Sequence, residues 1–188
     1  MVTPIFSISE SYRVDSPRAP RAEGECLRYR LDVVAGSVVD VVQSAGGWLY
    51  DRVMAGWEVT VLLTQSCDTR PLRILGARAS DFESAIGSTG QSLAVSAEAF
   101  NADARVRDKV LKSLDNRLVE VALWGQAQQG WPLGVNRATN RAQHVLSIAA
   151  RTFKGHALAA AGISCESVGP TETLLCDSRA DSELIRLD

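Results

Sequence analysis

Few side chains in this sequence have the type and spacing that chemistry requires. Cys67 precedes Asp68 in a predicted loop where a thiolate nucleophile could stand, but neither His144 nor His156 is near it in sequence to act as its base. The serines lack a GxSxG motif, and the chain contains neither GxGxxG nor GxxxxGK[ST]. No catalytic motif is assembled, so the sequence leans against an enzyme.

The cysteines and histidines do not form a metal-binding pattern either. Cys26, Cys67, Cys165 and Cys176 are widely separated and include no CxxC pair. We therefore predict no metal and no cofactor. The N-terminal residues lack a basic, apolar leader, and no apolar run is long enough to span a bilayer, so a cytoplasmic protein with reduced thiols is expected.

Length and composition fit one folded domain with a sizeable core. The chain has 188 residues, of which 46% are hydrophobic and 22% are charged. Its net charge of −2 disfavours a nucleic-acid-binding protein, because such proteins are usually markedly basic. The basic residues are 17 arginines and 3 lysines, a bias typical of a GC-rich bacterial genome.

The hydrophobic pattern predicts alternating strands and helices. Residues 26–33 alternate apolar and polar side chains, which predicts a strand at an edge or on an open face of a sheet. Residues 58–64 and 118–124 are nearly all apolar, which predicts central, parallel strands. Between the first two strands, Ser37 is the predicted N-cap of a helix that Gly56 ends.

Weaker patterns complete the predicted domain. They indicate strands over residues 71–77 and 92–96 and helices over residues 80–86, 98–117 and 137–161. The short link before residue 71 also allows an antiparallel hairpin. The predicted fold class is an α/β, three-layer Rossmann-like sandwich with about five mostly parallel strands and a long C-terminal helix. The predicted organisation is a flexible or surface-draped arm, the domain, and an acidic polar tail, over residues 1–25, 26–162 and 163–188.

The passage from the first helix into the following strand resembles that of the LmbE-like (PIG-L) deacetylases. The family's GG…GxVTV pattern is matched at Gly46, Gly47, Gly56, Val59, Thr60 and Val61. The family's metal-binding HPDDE motif would come just before this helix, where the sequence reads VVAGSVVD. No histidine precedes His144, so the resemblance lacks its catalytic part and does not imply deacetylase activity.

The carboxyl ends of the parallel strands are the predicted ligand-binding edge, because ligands of open α/β sheets bind outside those ends. The helix that begins after Ser37 would present N–H groups to an anion, and the ring of Trp131 would be available for stacking. The alternatives are a plain tight turn at Ser37 and a Trp131 that folds back over the core. The candidate ligand-binding residues are Ser37, Cys67, Arg70, Arg73, Arg78 and Trp131.

A basic stripe on the predicted last helix is the second candidate surface. The sequence between Val121 and Cys165 has no Asp or Glu. At about 100° per residue, one side of that helix would carry four basic side chains, opposite an apolar side that faces the sheet. These are Arg137, Arg141, His144 and Arg151. An acidic partner protein, an acidic homodimer surface or the acidic tail would fit them, and a solvated face is the alternative.

These observations lead to three functional hypotheses. The favoured one is a non-catalytic α/β protein that binds or regulates a protein partner, with the basic face of the last helix as a candidate contact. The alternative is a small-molecule enzyme or binder with an anionic ligand, such as a nucleotide or sugar phosphate, at the strand-end loops. A nucleic-acid-associated protein is the weakest hypothesis, given the net charge of −2.

Overall fold

The computed structural model describes residues 29–64, 67–85, 91–116, 118–125, 130–177 and 185–186. The predicted arm over residues 1–25 and Cys26 lie outside the described residues. The strands are β1 Arg30–Ala35, β2 Glu58–Leu63, β3 Arg78–Asp81, β4 Ser92–Ser96, β5 Glu120–Trp124, β6 Thr139–Val145, β7 Thr171–Asp177 and β8 Ile185–Arg186. The helices are α1 Val38–Met54, α2 Arg70–Ile74, α3 Phe82–Ala85, α4 Ala97–Ala102, α5 Ala104–Asp115, α6 Leu133–Ala138 and α7 Ile148–Ala160.

The described strands form one mixed sheet in the order β3-β2-β1-β4-β5-β7-β6-β8. Strands β1 to β5 pair in parallel, whereas β7 runs antiparallel to β5 and β6. One hydrophobic core packs α1, α2 and α7 on one face, and a second packs α4, α5 and α6 on the other. The predicted three-layer, Rossmann-like α/β class is confirmed.

The two apolar strands lie inside the sheet, as predicted. Strand β2 pairs in parallel with β1 and β3. Strand β5 pairs in parallel with β4 and antiparallel with β7. Helix α1 also has its predicted ends, because the Ser37 hydroxyl accepts from the backbone N–H of Asp40 at 3.2 Å and Gly56 adopts a φ of +92° beyond the last turn.

The first predicted strand is placed wrongly. Strand β1 covers residues 30–35 and lies between β2 and β4, rather than at an edge. The alternating pattern came largely from residues that precede the strand; Tyr29, for example, is exposed and stacks on Trp57 at 5.1 Å. Within β1 itself, every residue after Arg30 is buried, as expected of a strand covered on both faces.

The strand and hairpin predicted at residues 71–77 are not formed. Residues 70–74 are α2, and the next strand, β3, pairs in parallel with β2. Pro71 lies in the first turn of α2, where a backbone N–H has no helical partner to lose. Leu72 and Leu75 are both fully buried, at the helical spacing of three residues.

The prediction of one long last helix is also wrong, because residues 137–161 belong to three different elements. Helix α6 ends at Ala138, strand β6 follows, and Ser147 caps α7 by accepting from the backbone N–H of Ala150 at 3.0 Å. Strand β6 pairs along its length with β7, which lies within the predicted polar tail. This pairing joins distant segments, so local periodicity does not reveal it. None of the described helices is long and apolar enough to cross a membrane.

Candidate functional site

The strand order creates a topological switch point between β1 and β4. The chain proceeds from β1 to β2 and β3 on one side, and from β4 to β5 on the other. In open α/β sheets, the crevice at such a point, outside the carboxyl ends of the strands, is where ligands bind. We call this crevice the switch-point cleft and define it by Gly36, Ser37, Asp40, Glu98 and Trp124.

Two capped helices position the polar side chains of the switch-point cleft. Ser37 follows β1 and caps α1, and its hydroxyl donates to the Glu98 carboxylate at 3.4 Å. Ser96 ends β4 and caps α4 by accepting from the backbone N–H of Ala99 at 3.1 Å. Glu98 lies in the first turn of α4, so both helix starts bring their first residues to the cleft.

The carboxyl group of Glu98 lies directly over Gly36. A Cβ atom at Gly36 would stand 2.4 Å from the Glu98 Cδ atom, so only glycine fits this arrangement without displacing the side chain. The carboxylate is thereby placed at the N-terminus of α1, where the helix dipole favours negative charge. Glu98 therefore lies beside the turn at Ser37 where the sequence predicts an anion.

Asp40 lies half-buried in the first turn of α1, beside the switch point. Its Oδ2 atom accepts a hydrogen bond from the indole N–H of Trp124 at 2.9 Å, and its Oδ1 atom accepts from the Ser44 hydroxyl at 3.1 Å. Trp124 is the last residue of β5 and is fully buried. Asp40 is therefore fixed between α1 and β5.

Glu98 and Asp40 were not among the candidate residues predicted from sequence. A usable signal for Glu98 is the start of a helix directly after a strand, since serine at the cap followed by an acidic residue in the first turn is a common N-terminus. Together the two carboxylates and the Ser37 hydroxyl can accept and transfer protons or bind hydrogen-bond donors.

A metal ion does not fit this donor set. Residues 33–40 stand where the LmbE-like pattern has its HPDDE motif, and Asp40 is their only carboxylate in the cleft. Among the residues that the structure describes, no three His, Cys, Asp or Glu side chains come together as a metal-binding group.

The structure separates the predicted arginines. Cys67 and Arg70 follow β2 at the carboxyl edge, where Arg70 bonds to Asp68 at 3.1 Å. Hydrogen bonds from Arg70, first from its backbone N–H, lower the pKa of the Asp68 carboxyl below its ordinary value of 3.8. Arg73 is exposed on the last turn of α2. Arg78 begins β3 and pairs with Glu58 at the start of β2, so it lies at the opposite, amino edge of the sheet.

Trp131 packs against the core, which is the structural alternative given above. Its ring meets the Phe100 ring edge-on, with the centroids 5.0 Å apart, and packs against the second hydrophobic core.

The four basic residues do not form a stripe on one helix. Arg137 lies on α6, Arg141 and His144 lie on β6, and Arg151 lies on α7. His144 is mostly buried, with its Nε2 atom 2.8 Å from the Asp51 Oδ2 atom. The predicted stripe required a continuous helix from residue 137 to residue 161, which the pairing of β6 with β7 prevents.

The chain is similar in fold to solved structures. No protein-family model and no curated protein sequence matches it. The crystal structure of the A40926 pseudoaglycone deacetylase Dbv21 is similar, with a TM-score of 0.52 and 17% sequence identity over 83% of this chain and 100% of that chain. The chain shares this deacetylase's fold. A deacetylase triple mutant from the teicoplanin biosynthetic pathway has a TM-score of 0.49 and 13% identity over 85% of this chain and 99% of that one.

These findings correct the favoured functional hypothesis. A non-catalytic protein that binds its partner through a basic helix is contradicted, because that helix is absent from the described chain and the fold is shared with an enzyme. The alternative, a small-molecule enzyme or binder at the strand-end loops, agrees better with both observations.

The described cysteines should differ sharply in reactivity. Burial, followed by the charges of Glu120 and Asp177, raises the pKa of the Cys176 thiol to about 12, whereas Cys67 and Cys165 are exposed thiols. Since the thiolate is the reacting species, iodoacetamide at pH 8 should modify Cys67 and Cys165 in the folded protein and Cys176 only after unfolding. Peptide mass spectrometry measures this order. Equal rates at all three positions would contradict it.

Proposed function

We propose that this chain is a small-molecule enzyme or binder of hydrolase type that holds its ligand in the switch-point cleft. The observation that carries the proposal is the convergence of Ser37, Asp40 and Glu98 at the carboxyl ends of β1, β4 and β5. The fold shared with a deacetylase supports acyl-group hydrolysis as the first reaction to test. A cytoplasmic location is part of the same proposal.

Glu98 is the candidate general base. Its side chain is exposed, and its hydrogen bond with Ser37 is long, at 3.4 Å, so carboxylate lone pairs face the cleft and can accept a proton from water. The hydroxide so formed would attack an acyl carbonyl carbon, and the protonated Glu98 would return its proton to the leaving oxygen or nitrogen. Asp40, fixed by Trp124, would orient the ligand through hydrogen bonds.

The cleft chemistry favours a ligand that donates hydrogen bonds. Two carboxylates and a hydroxyl accept readily from the hydroxyl or amino groups of a polar small molecule. A phosphate-like ligand, as predicted from the sequence, would have to displace Glu98 from the N-terminus of α1 before it could bind there. We therefore place a polyhydroxylated or amine-bearing acyl compound ahead of a sugar phosphate.

Glu98→Gln tests this proposal directly. A panel of N-acyl sugars, amino sugars and sugar phosphates is screened by melting temperature and by release of the free acid, with Glu166→Gln as the exposed control. For an acyl compound that binds the parent, Glu98→Gln should reduce hydrolysis by about 10²–10⁴-fold, because the general base is lost. Glu166→Gln should hydrolyse it like the parent.

Other outcomes are equally informative. A ligand that binds the parent and Glu98→Gln alike, without turnover, would make the protein a binder. Binding of sugar phosphates that becomes tighter in Glu98→Gln would favour the anionic ligand, since a displaced carboxylate would no longer compete. A bound ligand whose NMR perturbations avoid Ser37, Asp40 and Glu98 would show the cleft to be the wrong site.

A further inference from the structure

A buried ion pair contacts the backbone in the middle of α1. Lys154 on α7 places its Nζ atom 2.5 Å from the Glu172 Oε1 atom on β7. The two side chains are only 8% and 3% exposed. Such a pair is costly to desolvate unless further hydrogen bonds satisfy both charges, so its other partners reveal its role.

Those partners are backbone groups of α1. The Glu172 carboxylate accepts from the N–H groups of Gly47 and Trp48, at 2.9 and 2.7 Å. The Lys154 ammonium donates to the carbonyl oxygen of Gln43 at 2.7 Å. In a regular α-helix, the N–H of residue 47 bonds to the carbonyl of residue 43. The ion pair therefore contacts both the N–H and the carbonyl of one helical hydrogen-bond step.

The two adjacent glycines let other side chains pack close to the α1 backbone at this point. A Cβ atom at Gly47 would lie 2.6 Å from the methyl carbons of the buried Leu146, and one at Gly46 would lie 3.3 Å from a Leu75 methyl carbon. The absence of side chains at these positions lets Leu146 approach α1 where the Glu172 carboxylate also reaches its backbone.

We infer that Lys154 and Glu172 are positioning residues for the switch-point cleft. They hold α1 from Gln43 onwards, one turn after Asp40, and so set the direction of the helical segment that carries Ser37 and Asp40. The hydrogen bond between Asp40 and the Trp124 indole depends on that direction. The use of this cleft for a ligand rests on the proposed function, whereas the effect on Asp40 does not.

The indole N–H of Trp124 reports the position of Asp40 without any ligand. Among the four tryptophans, its ¹H–¹⁵N NMR resonance is identified by its absence in Trp124→Phe. Lys154→Met keeps most of the apolar stem and removes the ammonium group. We expect its Trp124 indole proton to move upfield, because the hydrogen bond to Asp40 lengthens. Lys112→Met, an exposed change on α5, should leave this resonance at the parent position.

A second variant and a ligand measurement complete the test. If Lys154→Met does not fold, Glu172→Gln, which retains one carbonyl acceptor, should show the same upfield movement. Where the parent binds a ligand of the acyl panel, the folded variant should bind it about tenfold more weakly, as expected if the competent arrangement falls to about a tenth of molecules.

Two results have separate meanings. An unchanged Trp124 resonance in the folded variants would overturn the positioning role, whatever the ligand results. A shifted resonance, together with a parent that binds no panel ligand, would support the positioning role and count against the proposed function alone.

Discussion

Replacing Glu172 with alanine is expected to lower the free energy of unfolding by about 3–5 kcal/mol, the usual cost of breaking a buried ion pair by removing one partner. The change would leave the Lys154 ammonium buried at 8% exposure, and would deprive the backbone N–H groups of Gly47 and Trp48 of their acceptor. Urea denaturation followed by circular dichroism measures the loss.

The matched variants separate this effect from loss of packing. The double variant Lys154→Met with Glu172→Leu should lose less unfolding free energy than the single variants Lys154→Met and Glu172→Leu lose together. In the double variant no unpaired buried charge remains. Glu166→Ala, on an exposed loop, should change stability by no more than about 0.5 kcal/mol. A Glu172→Ala protein within 1 kcal/mol of the parent would mean that the pair contributes little to the fold, on the scale given for such pairs.

Arg52→Ala is expected to lower the free energy of unfolding by about 2–4 kcal/mol, because it removes a desolvated cation–π contact and a partly buried ion pair. The guanidinium lies 4.5 Å from the centroid of the Trp57 ring and 5.5 Å from that of Trp48. It also donates to Glu120 at 3.0 Å, and Ser92 donates to the other oxygen of the same carboxylate at 2.8 Å. Urea denaturation monitored by tryptophan fluorescence measures the change.

Arg52→Lys keeps the charge but loses the planar group that stacks on the indole rings. Its free energy of unfolding should therefore lie between those of the parent and Arg52→Ala. Arg151→Ala serves as the control, because Arg151 is exposed and its guanidinium donates to a loop carbonyl, that of Val168, at 3.2 Å. If Arg52→Ala lowers the free energy of unfolding no more than this control does, the contacts with Trp57 and Glu120 are energetically neutral.

The Arg52 cluster also bears on where a ligand binds. It lines a narrow recess with Leu31, Ser92 and Glu120 at the amino ends of β1, β4 and β5, opposite the switch-point cleft. The recess is too tightly packed to admit a water-sized sphere. Arg52 and Ser92 both donate to Glu120 there, so we interpret the recess as a structural junction between α1 and the sheet.

Local signals determined the parts of this protein that depend on neighbouring residues. The Ser37 cap and Gly56, with its φ of +92°, fixed both ends of α1, because capping involves groups only a few residues apart. The apolar runs at 58–64 and 118–124 predicted interior strands, because a strand covered on both faces needs apolar side chains at nearly every position.

Only the tertiary structure decided the switch-point cleft and the C-terminal half of the sheet. Asp40 and Trp124 are 84 residues apart, and Gly47 and Glu172 are 125 apart. Strand β6 is a strand because β7 pairs with it, although residues 137–161 also carry a helical pattern. The ion pair that contacts α1 at Gln43 and Gly47 comes from α7 and β7, whose positions only long-range packing sets.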